Sequence, residues 1–296
     1  MKSVIPILAI LSGAMWGSAG IFVRGLADAG LDNITIVFGR TSVAVFMLLA
    51  IILLMDRKIL KIGKKDIPLF LACGISIVGL NVFYTVSVAE VSLSLAAVLL
   101  GLSPAFMMVF ATILFKEKVT SKKLTCMVVS IVGCVMVSGA LDGNNGLSVA
   151  GVSAGLASAI FYAIYGIMSK GITSKGYNVF SILFYCMVIC TVALIPLTDF
   201  GTLIDFETET PLNIGFLAFN ALVTFILPYM FYTLAISGDD VTTPSILAAC
   251  AEPTSAMFFG LVFFGEGLSL TMLLGMVLAV GAMAYICIPT KESKTS

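Results

Sequence analysis

The chain is 296 residues long, 60% hydrophobic and 11% charged, with a formal net charge of zero and a mean hydropathy of +1.14. Soluble domains carry about 25% charged residues, so this composition excludes a soluble core and points to a protein whose solvent is the lipid bilayer. A hydrocarbon layer of ~30 Å needs about 20 helical residues. Stretches of roughly that length run from Val4 to Val23, Ile34 to Met55, Ile67 to Ala89, Ser92 to Phe115 and Leu124 to Ala140. Five more follow: Val149 to Ser169, Val179 to Leu197, Leu212 to Ile236, Val241 to Phe264 and Leu268 to Ile288. These are continuous apolar runs rather than short alternating segments, which excludes a transmembrane β-barrel. Met1-Lys2-Ser3 before the first stretch resembles a signal peptide, but nine similar stretches behind it favour retention as the first helix. The expected fold class is therefore an all-α integral membrane protein of ten transmembrane helices.

In the first stretch Ser12, Gly13, Trp16, Gly17 and Gly20 recur at three- and four-residue spacing and share one face. The sixth stretch repeats this with Gly151, Gly155, Ser158, Tyr162, Gly166 and Ser169, with Tyr165 beside them. Small faces allow close helix packing in lipid. The aromatics projecting from them, Trp16, Tyr162 and Tyr165, are candidates for a cavity wall as well as for packing or the interface. Asn81, Tyr84, Asn220 and Tyr229 supply hydrogen-bonding groups that can orient a polar ligand or bond helix to helix. Pro104, Pro228 and Pro253 interrupt helices four, eight and nine and by spacing free the carbonyls of Leu100, Thr224 and Ala249.

Two charges lie deep, Arg40 and Glu252, and an unpaired charge at the bilayer centre costs about 3 kcal/mol or more. Glu252 shares a face with Ser245, Ala249, Ala256 and Gly260 and is expected to face the bundle interior. Its candidate roles are binding an amine, carrying a coupling proton, and structural or gating pairing. Arg40 lies about seven residues, or ~10 Å, from the outer end of the second helix, so snorkelling to the interface is the first expectation. Binding a carboxylate, or moving with Glu252, comes second.

The basic residues orient the chain. With the N-terminus inside, fourteen fall on the cytoplasmic side, including Lys2, Arg57, Lys58, Lys61, Lys64, Lys65, Lys116, Lys118, Lys122, Lys123, Lys170, Lys175, Lys291 and Lys294, and Arg24 alone falls outside. That asymmetry predicts an N-in, C-in topology. The basic loops 56–66 and 116–123 are then orienting and lipid-contacting segments rather than nucleic-acid patches. All seven cysteines lie in apolar stretches, where they are expected to act as small buried apolar side chains, and no metal and no disulfide is expected.

An internal echo divides the chain. Tyr84 pairs with Tyr232, and Pro104 and Glu117 pair with Pro253 and Glu266 after a one-residue shift. Trp16 and Arg24-Gly25 correspond in spacing to Tyr162 and Lys170-Gly171. Five helices per half, joined through the turn-rich Asp142-Gly143-Asn144-Asn145-Gly146, put the halves in opposite orientations, an inverted repeat of the kind transporters use. The expected boundaries are 1–143 and 147–289, with a solvated cytoplasmic tail at 290–296.

In the order Trp16-Gly17, Arg40, Tyr84, Ser103-Pro104, Lys116-Glu117, then Glu252-Pro253 and Gly265-Glu266, the chain resembles the drug/metabolite transporter superfamily, and within it the EamA-like ten-helix exporters. Tyr162 stands where that pattern more usually has Trp. The resemblance covers nearly the whole chain and implies a transport fold with a central cavity between the halves. Because both halves of the pattern carry such positions, Arg40, Pro104, Glu252 and Pro253 are read as gating or coupling residues. Trp16, Asn81, Tyr84, Tyr162, Tyr165, Asn220 and Tyr229 are read as substrate-binding.

Enzyme function is not expected. Gly151-Val152-Ser153-Ala154-Gly155 matches the nucleophile-elbow spacing, but the chain has no histidine for a Ser-His-Asp triad. No nucleotide-binding loop appears, so neither cofactor nor ATP-binding subunit is expected. The expected function is a secondary transporter of a small organic metabolite, an amino acid or related amphipathic solute, in the direction of export across a bacterial plasma membrane. Its partners are that solute and the lipid bilayer, and proton coupling would run through Glu252. The alternative is a membrane sensor or scaffold that moves nothing.

Overall fold

The computed structural model describes residues 4–91, 93–137, 148–265, 267 and 269–288, and every regular element among them is helical. The expectations for Met1–Ser3, Ala140, the turn 142–146, Glu266 and the tail at 290–296, with Lys291 and Lys294, lie outside the described residues.

The first apolar run is two helices, α1 (Ile5–Gly17) and α2 (Ala19–Asp28), meeting at Ser18, whose hydroxyl donates to the Met15 carbonyl at 2.7 Å. It ends five residues beyond the expected Val23. Next come α3 (Asn33–Met55) and α4 (Ile67–Glu90). Asp32 starts α3 by accepting from the amides of Ile34 and Thr35 at 2.8 and 3.0 Å, which satisfies donors a helix start leaves unpaired. The fourth run is broken into α5 (Leu93–Leu100) and α6 (Ser103–Phe115). Pro104 therefore does not kink a continuous helix. It sits in the first turn of a new one, where its missing N–H is not needed.

Then follow α7 (Ser121–Val137), α8 (Val149–Ser174) and α9 (Val179–Leu194). Ser148 and Asn178 cap the last two through the amides of Gly151 and Phe180 at 3.3 and 2.9 Å. A ten-residue helix that the apolar-run reading passes over, α10 (Phe200–Glu209), lies between the seventh and eighth runs. Its Leu203 and Phe206 are buried with Leu26, Leu31, Ile36 and Leu217. The eighth run comprises α11 (Pro211–Asn220), a π-helical stretch Ala221–Ile226 and α12 (Leu227–Ile236). The wide turn accommodates Pro228 without breaking the run. The last helices are α13 (Thr242–Phe264), with Pro253 inside it, and α14 (Leu270–Cys287).

Nine helical runs among the described residues are long and apolar enough to cross a bilayer, as an integral membrane protein requires. α7, with 17 described residues or about 26 Å, falls just short of that length. Outward side chains such as Phe46 and Leu54 are 71% and 87% exposed, which suits a surface bathed in lipid.

Lipid supplies no hydrophobic drive between helices, so close backbone approach must hold the bundle. Glycines permit it. A Cβ at Gly13 would meet the Ala248 carbonyl and Ala251 on α13, and one at Gly17 would meet Ser255 and the Glu252 carbonyl. Gly133 and Gly275 join α7 to α14 in the same way, and Gly79 of α4 receives the Phe161 ring of α8. Of the seven cysteines, six are buried and Cys287 is exposed, contrary to the expectation that all are interior.

Candidate functional site

A cavity of about 610 Å³ enters the bundle from the end where α2, α4 and α13 finish and α3 begins. Arg24, Asn33, Val88 and Phe264 stand at its mouth, and Trp16, Tyr162, Thr224 and Tyr229 lie far down the helices that line it. Counting 1.5 Å per residue, Arg40 is about 10 Å from the mouth end of α3, whereas Trp16 and Glu252 are about 18 Å from the mouth ends of α2 and α13.

The floor is aromatic. Trp16 packs edge-on to Tyr162 and Tyr229, with ring centres at 5.6 and 5.1 Å, and tilted on Tyr232 at 5.4 Å. Tyr162 meets Tyr232 at 5.5 Å and Tyr165 meets Tyr229 at 5.2 Å, while the Tyr165 hydroxyl shares a 2.7 Å hydrogen bond with that of Thr233. Edge-to-face pairs contribute about 0.5–1.5 kcal/mol each beyond burial, so the cluster is a fixed partition. Its residues come from α1, α8 and α12.

Arg40 does not snorkel. Its guanidinium lies over the Phe225 ring at 4.4 Å, and an Nη donates to the Asn81 Oδ1 at 3.4 Å, turning the side chain toward the cavity instead of the interface. Asn81 is itself tied down, donating to the Ile77 carbonyl at 2.9 Å. Glu252 also lines the cavity, from α13. No ion pair joins Arg40 to Glu252 among the described residues.

The cavity wall thus includes Trp16, Arg40, Asn81, Tyr84, Tyr162, Tyr229, Glu252 and Pro253. Tyr165, Asn220 and Pro104 lie outside it. Tyr165 backs the floor, and fully buried Asn220 accepts from the Thr224 hydroxyl at 2.8 Å within its own helix. Pro104 is buried one residue beyond Ser103, which does reach the wall. Phe225, which carries the Arg40 cation, and Tyr232, which packs on Trp16, join the site without being among the residues expected there. Their signal was the spacing Phe225, Tyr229, Tyr232 along one helical face below Thr224.

Among the described residues, no three His, Cys, Asp or Glu side chains gather as a metal site would require. The profile of the EamA-like transporter family matches residues 4–139 and 149–288. The chain belongs to that family. It is thereby a multi-pass membrane transporter of the drug/metabolite transporter superfamily. An uncharacterised transporter of Archaeoglobus fulgidus is 24% identical over 91% of this chain and 93% of its own length. The uncharacterised transporter YxxF of Bacillus subtilis is 25% identical over 96% and 89%, and the pseudopaline exporter CntI of Pseudomonas aeruginosa is 25% identical over 81% of each. A crystal structure with 17% identity superposes with a TM-score of 0.77 over 96% of both chains, which shows a shared fold.

Opposite the mouth, the EamA-like bundle is shut by polar contacts, most of which run between residues far apart in sequence. Glu117, at the end of α6, accepts from Lys123 at 2.8 Å and from the amides of Val241 and Thr242 at 3.0 and 3.4 Å, where α13 begins. Lys123 also pairs with Asp240 at 3.1 Å. Burial works against ionisation of Asp240, but the Thr243 hydroxyl and amide and the Lys123 ammonium hold its carboxyl below the usual range. A second clasp joins Asp66 to Lys175 at 2.5 Å and to the Tyr177 hydroxyl at 2.7 Å. These bonds hold the Asp66 carboxyl below, and the Lys175 ammonium above, their ordinary values. The Tyr185 hydroxyl closes the row on the Leu60 carbonyl at 2.7 Å, and Lys170 donates to the Gly238 carbonyl.

Proposed function

We propose that this EamA-like protein is a secondary transporter that exports a small organic metabolite, an amino acid or related amphipathic solute, by alternating access. The observation that carries the proposal is the dead-end cavity. It is open at one end, floored by aromatic rings, and sealed at the other by clasps whose partners come from opposite halves of the chain.

The sealed end carries the lysine-rich loops and is cytoplasmic under the N-in, C-in topology, so this conformation faces outward. Ten spans in two inverted five-helix halves, 1–143 and 147–289, accord with the pattern of helix contacts. α1 packs on α13 as α5 and α6 pack on α8; α4 packs on α8 as α12 packs on α1; and α7 pairs with α14. Exchanging the halves maps the first pair of contacts onto each other, the second pair likewise, and the α7–α14 contact onto itself. Two units of similar structure and opposite orientation can trade conformations at little net energy, which turns an outward-open cavity into an inward-open one.

In the cycle, solute meets the aromatic floor and Glu252 at mid-depth, and the halves rock about the broken fourth run at Pro104 and the proline in α13. The Glu117 and Asp66 clasps then part as the mouth closes. The mostly apolar, aromatic wall suits amphipathic solutes better than highly charged ones. Export across a bacterial plasma membrane is supported by the relative named as an exporter. Glu252, the one carboxylate in the described wall, is the residue through which a proton gradient would act. Glu252→Gln is therefore expected to abolish accumulation driven by a pH gradient while sparing exchange down a concentration gradient.

The test is solute movement. Purified protein in liposomes, assayed by counterflow against amino acids, amines, nucleosides and sugar phosphates, is expected to move at least one amphipathic solute. Binding without movement under both pH-gradient and exchange conditions would replace the transporter by a sensor or scaffold.

A further inference from the structure

We propose that Arg40 is the anion-recognising residue of the cavity, so that the solutes it accepts carry a carboxylate. This rests on the transport proposal above and adds the chemical group that the site reads.

Arg40 is a charge within an apolar bundle, and no carboxylate among the described residues pairs with it. Among the described residues its polar contacts are one long hydrogen bond, to Asn81 at 3.4 Å, and the face of Phe225. A guanidinium has five N–H donors and does not give up its charge in a protein. Nε is buried without a hydrogen-bond partner, so the protein meets only a small part of this donor capacity. An isolated cation at such depth is costly, and in membrane proteins it marks a pathway or a binding site. Glu252, the carboxylate of the described wall, makes no ion pair with it.

The side chain is also held in place rather than left to wander. Phe225 supports one face of the guanidinium, and Asn81 fixes an edge through an amide that is itself anchored on Ile77. A planar cation held by a ring face and a side-chain carbonyl presents its remaining edge to the cavity. A planar carboxylate matches that edge by two parallel hydrogen bonds. Bound there, it would supply the missing counter-ion and leave the rest of the solute over the Trp16, Tyr162 and Tyr229 rings.

The experiment uses matched ligand pairs that differ only at the carboxylate: L-leucine with L-leucinamide, and L-methionine with L-methioninamide. Binding to the purified full chain in detergent is measured by thermal stabilisation and calorimetry. Wild type should bind the acids at least about tenfold more tightly than the amides. Arg40→Gln should erase that preference while leaving amide binding in place, and Arg40→Lys should restore part of it. Asn81→Asp is a second variant, nearly isosteric, that installs an internal counter-ion beside Arg40, and it should suppress acid binding even if Arg40→Gln fails to fold.

Equal binding of acids and amides by wild type overturns the proposal, as does an acid preference that survives both substitutions or a wild type that binds neither acid. Acid-selective binding that depends on Arg40 but is never followed by movement in liposomes overturns the transport proposal and leaves the carboxylate subsite standing.

Discussion

Removing the Glu117 carboxylate should open the sealed end. Glu117 is 7% exposed and its partner Lys123 is 13% exposed, so solvent screens their contact little. The carboxylate accepts one ammonium bond at 2.8 Å, one amide bond at 3.0 Å and a longer one at 3.4 Å. A hydrogen bond to a charged group contributes about 1.5–3 kcal/mol. Two of good length give a gross loss near the sum, which Lys123 reduces by keeping Asp240 at 3.1 Å. A net loss of about 2–4 kcal/mol in Glu117→Ala corresponds to a roughly 30- to 900-fold shift away from the conformation closed at that end. Spin labels on exposed Lys118 and Asp239, with exposed Cys287 changed to serine, report the separation of α6 from the start of α13 by pulsed electron resonance. Glu117→Ala should move most of the distance distribution to longer values, and Glu117→Gln should fall between it and wild type. An unchanged distribution in Glu117→Ala would refute the idea that this clasp holds the end shut.

The Asp66–Lys175 clasp should be indifferent to pH across the physiological range. The Asp66 carboxyl is depressed below 3.8, so its contribution is present above that value and lost as pH falls through the lower folded value. Lys175 is raised above 10.5, so its contribution is full below that and lost at higher pH. Distances between labels on loop 57–61 and α8 should therefore hold constant from about pH 5 to 9, and opening of this pair within that window would contradict the assignment. Gly17→Ala should lower the unfolding temperature in detergent, because the new methyl overlaps Ser255 and the Glu252 carbonyl on α13, at a cost of about 1–3 kcal/mol; an unaltered midpoint would count against the close α1–α13 contact. Trp16→Ala removes three ring contacts of the cavity floor, at about 0.5–1.5 kcal/mol each. It should weaken solute binding at least about tenfold, and calorimetry showing wild-type affinity would place the solute elsewhere.

The bilayer-length runs and the small-residue faces were legible because each is a local property: a window of apolar side chains, or a glycine every turn. The elements that escaped depend on contacts remote in sequence or on interrupted windows. α10 is ten residues long, and only its capping Asp199 and the Leu203–Phe206 spacing announce it. The break before Ser103 looks like a proline kink until the turn Gly101–Leu102 is seen. The distance of Arg40 from the interface suggests snorkelling, whereas Phe225, 185 positions later, decides its direction. Glu117 was recognised as the end of a repeat unit, but its partners at Val241 and Thr242 lie 124 and 125 residues away, beyond what spacing alone reveals. Tyr162, Tyr229 and Trp16 could be singled out as polar-tipped aromatics on small-residue surfaces; that they meet as one floor is a property of the packed bundle.

Alternating access is tested most directly by locking the sealed end. Cysteines at positions 66 and 175, in a chain with Cys287 changed to serine, can be bridged through two disulfides by a short bis-methanethiosulfonate and the protein reconstituted in liposomes with a solute it binds. Movement of the solute should stop in the bridged protein, binding from the mouth side should persist, and reductive cleavage of the bridge should restore movement. Wild-type movement through protein whose halves are bridged at this end would contradict alternating access.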